Sequence, residues 1–147
     1  MKYAALFIFL LVTAAAAFTG SQFIPGEWYA GLTKPSWTPP NWLFGPVWTV
    51  LYVMIAVAGW RVWRAQGVGP ALTVWGIALA LNAAWSYLMF GAHRIDLALA
   101  DISALLASIF VFILLARKVD RIAALLFVPY LAWVGFATAL NTAVFAL

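Results

Sequence analysis

The sequence predicts an all-α membrane protein, one bundle of five transmembrane helices. Three observations carry that expectation. Of 147 residues, 67% are hydrophobic and 8% charged, with a mean hydropathy of +1.04. A soluble domain carries roughly 25% charged residues to cover its wetted surface. Apolar segments near the length needed to cross hydrocarbon recur along the chain, and turn-forming or charged residues fall between them.

The five segments run over residues 3–20, 45–63, 71–90, 97–116 and 122–146. Pro46 and Pro70 are placed in the first turns of the second and third, where a missing N–H leaves no helical bond unmade. Residues 64–70, 91–96 and 117–121 read as tight turns, and only the connection over 21–44 is long. Lys2, the apolar run and the small residues of "TAAAAFTGS" also fit a secretory signal, but the run is long enough to span and is counted as a helix. The length suits a single domain, 1–147, with no internal repeat. Five spans do not divide into the inverted halves of many secondary transporters.

Charge sets the expected orientation. Lys2, Arg61, Arg64, Arg117, Lys118 and Arg121 fall on one side of a five-span bundle, and only Lys34 and Arg94 on the other. The N-terminus is therefore expected to be cytoplasmic, and the 21–44 connection to face outward. The net charge of +4 is scattered through connections, which gives no clustered basic face for nucleic acid. There is no cysteine, which excludes a disulfide, a thiolate nucleophile or a Cys-bound metal. No metal-ligand spacing, nucleophile–base pair or phosphate loop can be assembled, and no resident cofactor is implied. His93, the single histidine, reads as a solvated turn residue.

Polar and aromatic residues at helical spacing mark what faces the bundle interior. The third span carries Trp75, Asn82, Trp85, Ser86 and Met89 on one face, and the fifth carries Tyr130, Trp133, Ala137 and Asn141. The second carries Trp48, Tyr52, Ile55 and Gly59. Trp60 and Trp63, at the opposite end of the second span, read as interfacial belt residues. Pro129, inside the fifth span, is expected to kink it. Asp96 reads as the N-cap of the fourth span and Asp101 as an acid at the hydrocarbon edge, with Arg94 as its partner.

The three stripes reach the same depth beneath residues 28–52, "WYAGLTKPSWTPPNWLFGPVWTVLY", a stretch with four tryptophans, two tyrosines, four prolines and one charge. Rings near span ends also form membrane belts, and a buried amide also bonds a neighbouring helix. The convergence of all three stripes favours a lidded pocket for a large planar or apolar ligand.

That stretch, together with "ALNAAWSYLMFGAHRIDLALADI" and "VPYLAWVGFATALN", resembles the three signature blocks of the TspO/MBR family, the tryptophan-rich sensory and translocator proteins. The resemblance covers essentially the whole chain. It implies a five-helix membrane bundle that acts as a receptor or sensor for porphyrins such as protoporphyrin IX and for synthetic planar ligands. The pocket it implies lies under the first loop. Trp28, Tyr29 and Pro39 would form its lid, Trp48, Asn82 and Ser86 would come from helices two and three, and Trp133, Ala137 and Asn141 from helix five. Light-dependent porphyrin breakdown is attributed to some members, and Trp48 and Trp133 would be the reactive groups here. Export of tetrapyrroles or other amphiphiles is the alternative activity. Animal members carry a basic residue after a tyrosine at the end of helix five; none follows Tyr130, which points to a bacterial member in the cell envelope. Gly76, Ala80 and Ala83 offer a small-residue face for a homodimer through helix three.

Overall fold

The computed structural model describes residues 3–21, 31–32, 34, 36–38 and 41–146, the side chains at 20–21 and 41–44 excepted. All regular structure among them is helical. The helices are α1 (Ala4–Ser21), α2 (Asn41–Gln66), α3 (Pro70–Ser86) continued by a π turn (Tyr87–Gly91), and α4 (Ile95–Ala116). The fifth span is split into α5 (Arg121–Leu126) and α6 (Val128–Ala146). Segments Gly45–Gln66, Pro70–Gly91, Ile95–Ala116 and Arg121–Ala146 are each long and apolar enough to cross a membrane. Helix α1 is apolar and shorter than these four, about 27 Å at 1.5 Å per residue.

Local chemistry explains the boundaries. Gly67, at φ +75°, takes the left-handed conformation that ends α2, and its N–H closes on the Trp63 carbonyl at 2.7 Å. Pro70 opens α3 as expected. Pro46 differs from the expectation. Because α2 starts at Asn41, this proline lies inside the helix and removes one internal backbone bond. Asp96 is not the N-cap of α4. That position is Arg94, whose guanidinium grips the Asp96 carboxylate through two contacts of 3.0 and 2.8 Å. Arg94 is thus engaged with Asp96 rather than Asp101, whose Oδ2 has no partner among the described residues.

The helices close into a ring in the order α1, α2, the fifth span, α4, α3, so that α1 packs on both α2 and α3. Phe112, Phe127, Tyr130, Ile55, Leu105 and Ile109 fill its centre, with the Phe112 and Phe127 rings 4.1 Å apart. The Trp75 indole of α3 donates to the Ile55 carbonyl at 2.8 Å and packs against Gly59. A Cβ at Gly59 would sit 2.5 Å from that indole, so this glycine sets how closely α2 and α3 approach. Trp60 is buried against Tyr3 at 5.8 Å under the Arg64 guanidinium, so it belongs to the packing rather than to a belt. Trp63 is exposed, as a belt residue would be.

The break at Phe127 decides the shape of one side. Pro129 cannot donate to the residue four before it, so the kink expected at that proline appears as a full interruption with Pro129 in the first turn of α6. Before the break, α5 is tied to α2: Asp120 caps α5 through the Ala123 N–H at 3.0 Å and accepts from Arg61 Nε at 3.1 Å. After it, α6 follows α4.

Burial pushes the Asp120 carboxyl up, but the Arg61 guanidinium and the Ala123 N–H outweigh burial and hold it below its ordinary value. A carboxylate depressed in this way stabilises the fold above its unfolded-state pKa, and the contribution is lost as pH falls through the folded value. Asp120→Asn keeps a capping side chain and removes only the ion pair. We expect it to cost about 1 kcal/mol at pH 7, and the gap to wild type to close below about pH 4. Thermal unfolding in detergent at pH 7 and pH 3 checks this, and a gap of the same size at both would refute it.

Candidate functional site

Two features lie in the half of the bundle beneath the first connection. The first is an aromatic and amide cluster between α2, α3 and α6. Asn82 is 5% exposed and joins two tyrosines from opposite helices. Its Oδ1 accepts from the Tyr52 hydroxyl at 2.8 Å, and its Nδ2 donates to the Tyr130 hydroxyl oxygen at 2.6 Å. The Trp48 ring covers the pair, 5.5 Å from Tyr52 and edge-on to Tyr130 at 6.2 Å. In hydrocarbon an unpaired amide has no water to turn to, so a shared pair of phenols explains why the three helices meet at this height. Thr13 of α1 is also buried, and its hydroxyl has no partner among the described residues.

The second feature is a groove of about 640 Å³ between α2 and α6. Pro46, Val47, Val50, Leu51 and Met54 form one wall, and Pro129, Ala132, Trp133 and Phe136 the other. It exists because α2 holds the fifth span mainly along α5, before the break that releases α6 toward α4. Phe136 stacks on Trp133 at 5.7 Å, and Trp37 of the first connection rests edge-on against Phe136 at 5.5 Å. Leu32 of the same connection packs on the cluster of Met89, Ala98, Leu140 and Val144 at the α3–α4 end of the bundle. The described parts of the connection therefore touch both sides of this end.

The residues singled out from sequence divide among these places. Trp48 and Asn82 meet in the cluster, while Trp133 lines the groove. Ala137 is half-buried against the main core, and Ser86 is half-buried at the end of α3. Asn141 is 2% exposed and sits apart from Asn82 in contact terms: its Oδ1 accepts from the Trp85 indole at 3.0 Å, and its Nδ2 reaches the Ile95 carbonyl at 3.5 Å. The π turn places Phe90 edge-on to Trp85 at 5.5 Å. Both amides thus engage protein groups. Trp28, Tyr29 and Pro39 lie outside the described residues. Sequence reading missed most of the groove, because its walls are ordinary lipid-compatible residues with no polar signal. Pro129 and Trp133 were the visible hints.

A ring of apolar helices around a buried tyrosine–amide cluster, with a tryptophan-lined groove between two of them, defines a small multi-pass membrane protein. The TspO/MBR family profile matches residues 4–147, and the chain belongs to that family. It is 38% identical over 141 residues to the tryptophan-rich sensory protein of Cereibacter sphaeroides, covering 96% of this chain and 89% of that one. It is 40% identical over 141 residues to the translocator protein of Homo sapiens, covering 90% and 83%. With TspO of Chlorobaculum tepidum the identity is 42% over 134 residues, covering 86% and 85%.

Asn82→Leu strands two phenol hydroxyls in a dry interior and should cost about 2 kcal/mol. Replacing Tyr52 and Tyr130 by Phe in the same chain should restore most of that loss, since no polar group is then left unpaired. Detergent melts of the single and triple variants measure it. A triple variant no more stable than Asn82→Leu would mean that the network does not hold the helices together.

Proposed function

We propose that the protein is a membrane receptor or sensor that binds porphyrin-like and other planar apolar molecules beneath its first connection. The observation that carries this reading is the groove of about 640 Å³, which falls within the 300–1,000 Å³ typical of small-molecule sites. Its walls are apolar and aromatic, Trp133 offers a flat face, and Trp48 offers another over the adjacent tyrosines. A rigid ring system gains from such faces by dispersion and by offset stacking, with little conformational entropy to lose. On this reading Trp28, Tyr29 and Pro39 belong to the lid, and Ser86, Ala137, Asn82 and Asn141 shape the space around the ligand. Trp48 and Trp133 are also the groups that a bound photosensitiser would oxidise in light. The protein resides in a bacterial envelope membrane with its N-terminus cytoplasmic, as the excess of Arg and Lys at the α2–α3 and α4–α5 turns supports.

Protoporphyrin IX, titrated in the dark, should quench tryptophan fluorescence saturably, and Trp133→Leu should weaken the apparent affinity about tenfold, or ~1.4 kcal/mol. Equal, non-saturating quenching in both proteins would assign the porphyrin to the micelle and remove the pocket. The name translocator, carried by several relatives, favours transport as a second reading. Sealed liposomes distinguish the two, because a transporter moves porphyrin in proportion to protein and a receptor does not.

The same proposal includes a homodimer through α3. Gly76 and Ala80 are exposed, and the space around Gly76 is open, so a second helix can approach closely there. A Cβ at Gly76 meets nothing within 4 Å, and Gly76→Leu should shift detergent-corrected mass from dimer to monomer. An unchanged mass would refute this interface.

A further inference from the structure

The groove opens sideways. Val50 is 59% exposed and Phe136 36%, and Pro129 and Ala132 are exposed beside them. These rim residues lie within spans, and Ala132 is close to the midpoint of Arg121–Ala146, where the surroundings are lipid tails rather than water. None of the nine lining residues is charged, and among their side chains only the Trp133 indole carries a hydrogen-bond donor. Pro46 and Pro129, one on each wall, also lack backbone donors. A solute arriving from water would have to give up its hydration here for nothing polar in return.

The floor of the groove backs directly on the aromatic and amide cluster. Leu51 is 4% exposed and is followed in the chain by Tyr52, as Val47 is by Trp48, and Pro129 by Tyr130. Val47, Leu51 and Trp133 pack in one apolar core with Trp48, Tyr52 and Tyr130. The gap is a fixed product of the fold: the Arg61–Asp120 pair and α5 hold one end of the fifth span to α2, and the interruption at Phe127 lets α6 diverge.

We infer that this groove opens to the bilayer, so that a flat, apolar polycyclic molecule enters it sideways from the hydrocarbon and is taken up from lipid and not from water. The inference rests on the ligand-binding reading above and adds its route. A polycycle dissolved among lipid tails is already concentrated at the mouth of the groove and already aligned along the helices. It enters edge-on past Val50 and Ala132, with Trp133 as the face it passes.

The test uses the full chain in phosphatidylcholine nanodiscs, with the uncharged dimethyl ester of protoporphyrin IX as probe and tryptophan quenching followed by stopped flow in the dark. Ala132→Phe and Val50→Phe place rings in the mouth from exposed positions that carry no core packing. Plugging should slow association by about tenfold, whatever it does to the affinity of the groove these residues line. In wild type, a porphyrin tethered to a phospholipid, which cannot leave the bilayer, should still quench saturably in the same disc, and its failure to do so while free porphyrin quenches would overturn the route. Unchanged rates in both plugged variants would overturn the route while leaving the receptor reading intact. Weakened affinity with an unchanged association rate would also overturn it, leaving the groove a binding site reached by another route. No saturable quenching in wild type would remove the receptor reading and the route with it. If one plugged variant fails to fold, the other and the tethered porphyrin decide the matter alone.

Discussion

Asn82 is the contact around which the bundle is organised. A carboxamide in hydrocarbon must find a donor and an acceptor within the protein, and Asn82 finds both in phenols from two other helices. That demand fixes the rotation of α2, α3 and α6 at one height, where Trp48 then has a flat surface to cover. The apolar contacts below it, from Phe112 to Ile109, are plentiful but unspecific in direction. Lipid tails compete for such surfaces almost equally well, so close packing and polar pairing carry the selectivity between helices.

A second constraint acts in the opposite sense. The interruption at Phe127 prevents the fifth span from lying along α2 throughout its length, and the ion pair at Arg61 and Asp120 decides which end stays in contact. Closure at one end and divergence at the other produce a wedge-shaped opening without any loop or mobile element. The groove is therefore a backbone feature, lined by whatever apolar side chains the two helices present.

Much of this was legible in the sequence. Low charge and repeated apolar runs predicted the five spans, and the observed boundaries fall within a few residues of them, because turn residues such as Gly67 and Pro70 act locally. The stripes on spans two, three and five did turn inward: Ile55, Trp75, Asn82, Tyr130 and Asn141 are all buried. Depth and partner were not legible. Asn82 and Asn141 share a spacing logic but bond to different neighbours, since periodicity gives a direction around a helix and says nothing of which side chain waits opposite. Trp60 was misjudged for a related reason: its position at a span end suggested a belt, while Tyr3 and Arg64 enclose it. The start of α2 at Asn41 was hidden by Pro46, which reads as a beginning in sequence and is tolerated inside the helix.

The π turn at Tyr87–Gly91 has a consequence for how this end of the molecule can vary. A π turn bonds each residue to the fifth along rather than the fourth, so it is in effect one extra residue absorbed within a helix. The residues within it, Phe90 among them, are therefore shifted around the axis relative to the α3 below. Trp85 and Phe90, five apart, share a face only on that account. The register of the outer turn is thereby uncoupled from that of the membrane-buried stripe. A length change at this point would re-aim Phe90 and leave Asn82 and its two phenols where they are.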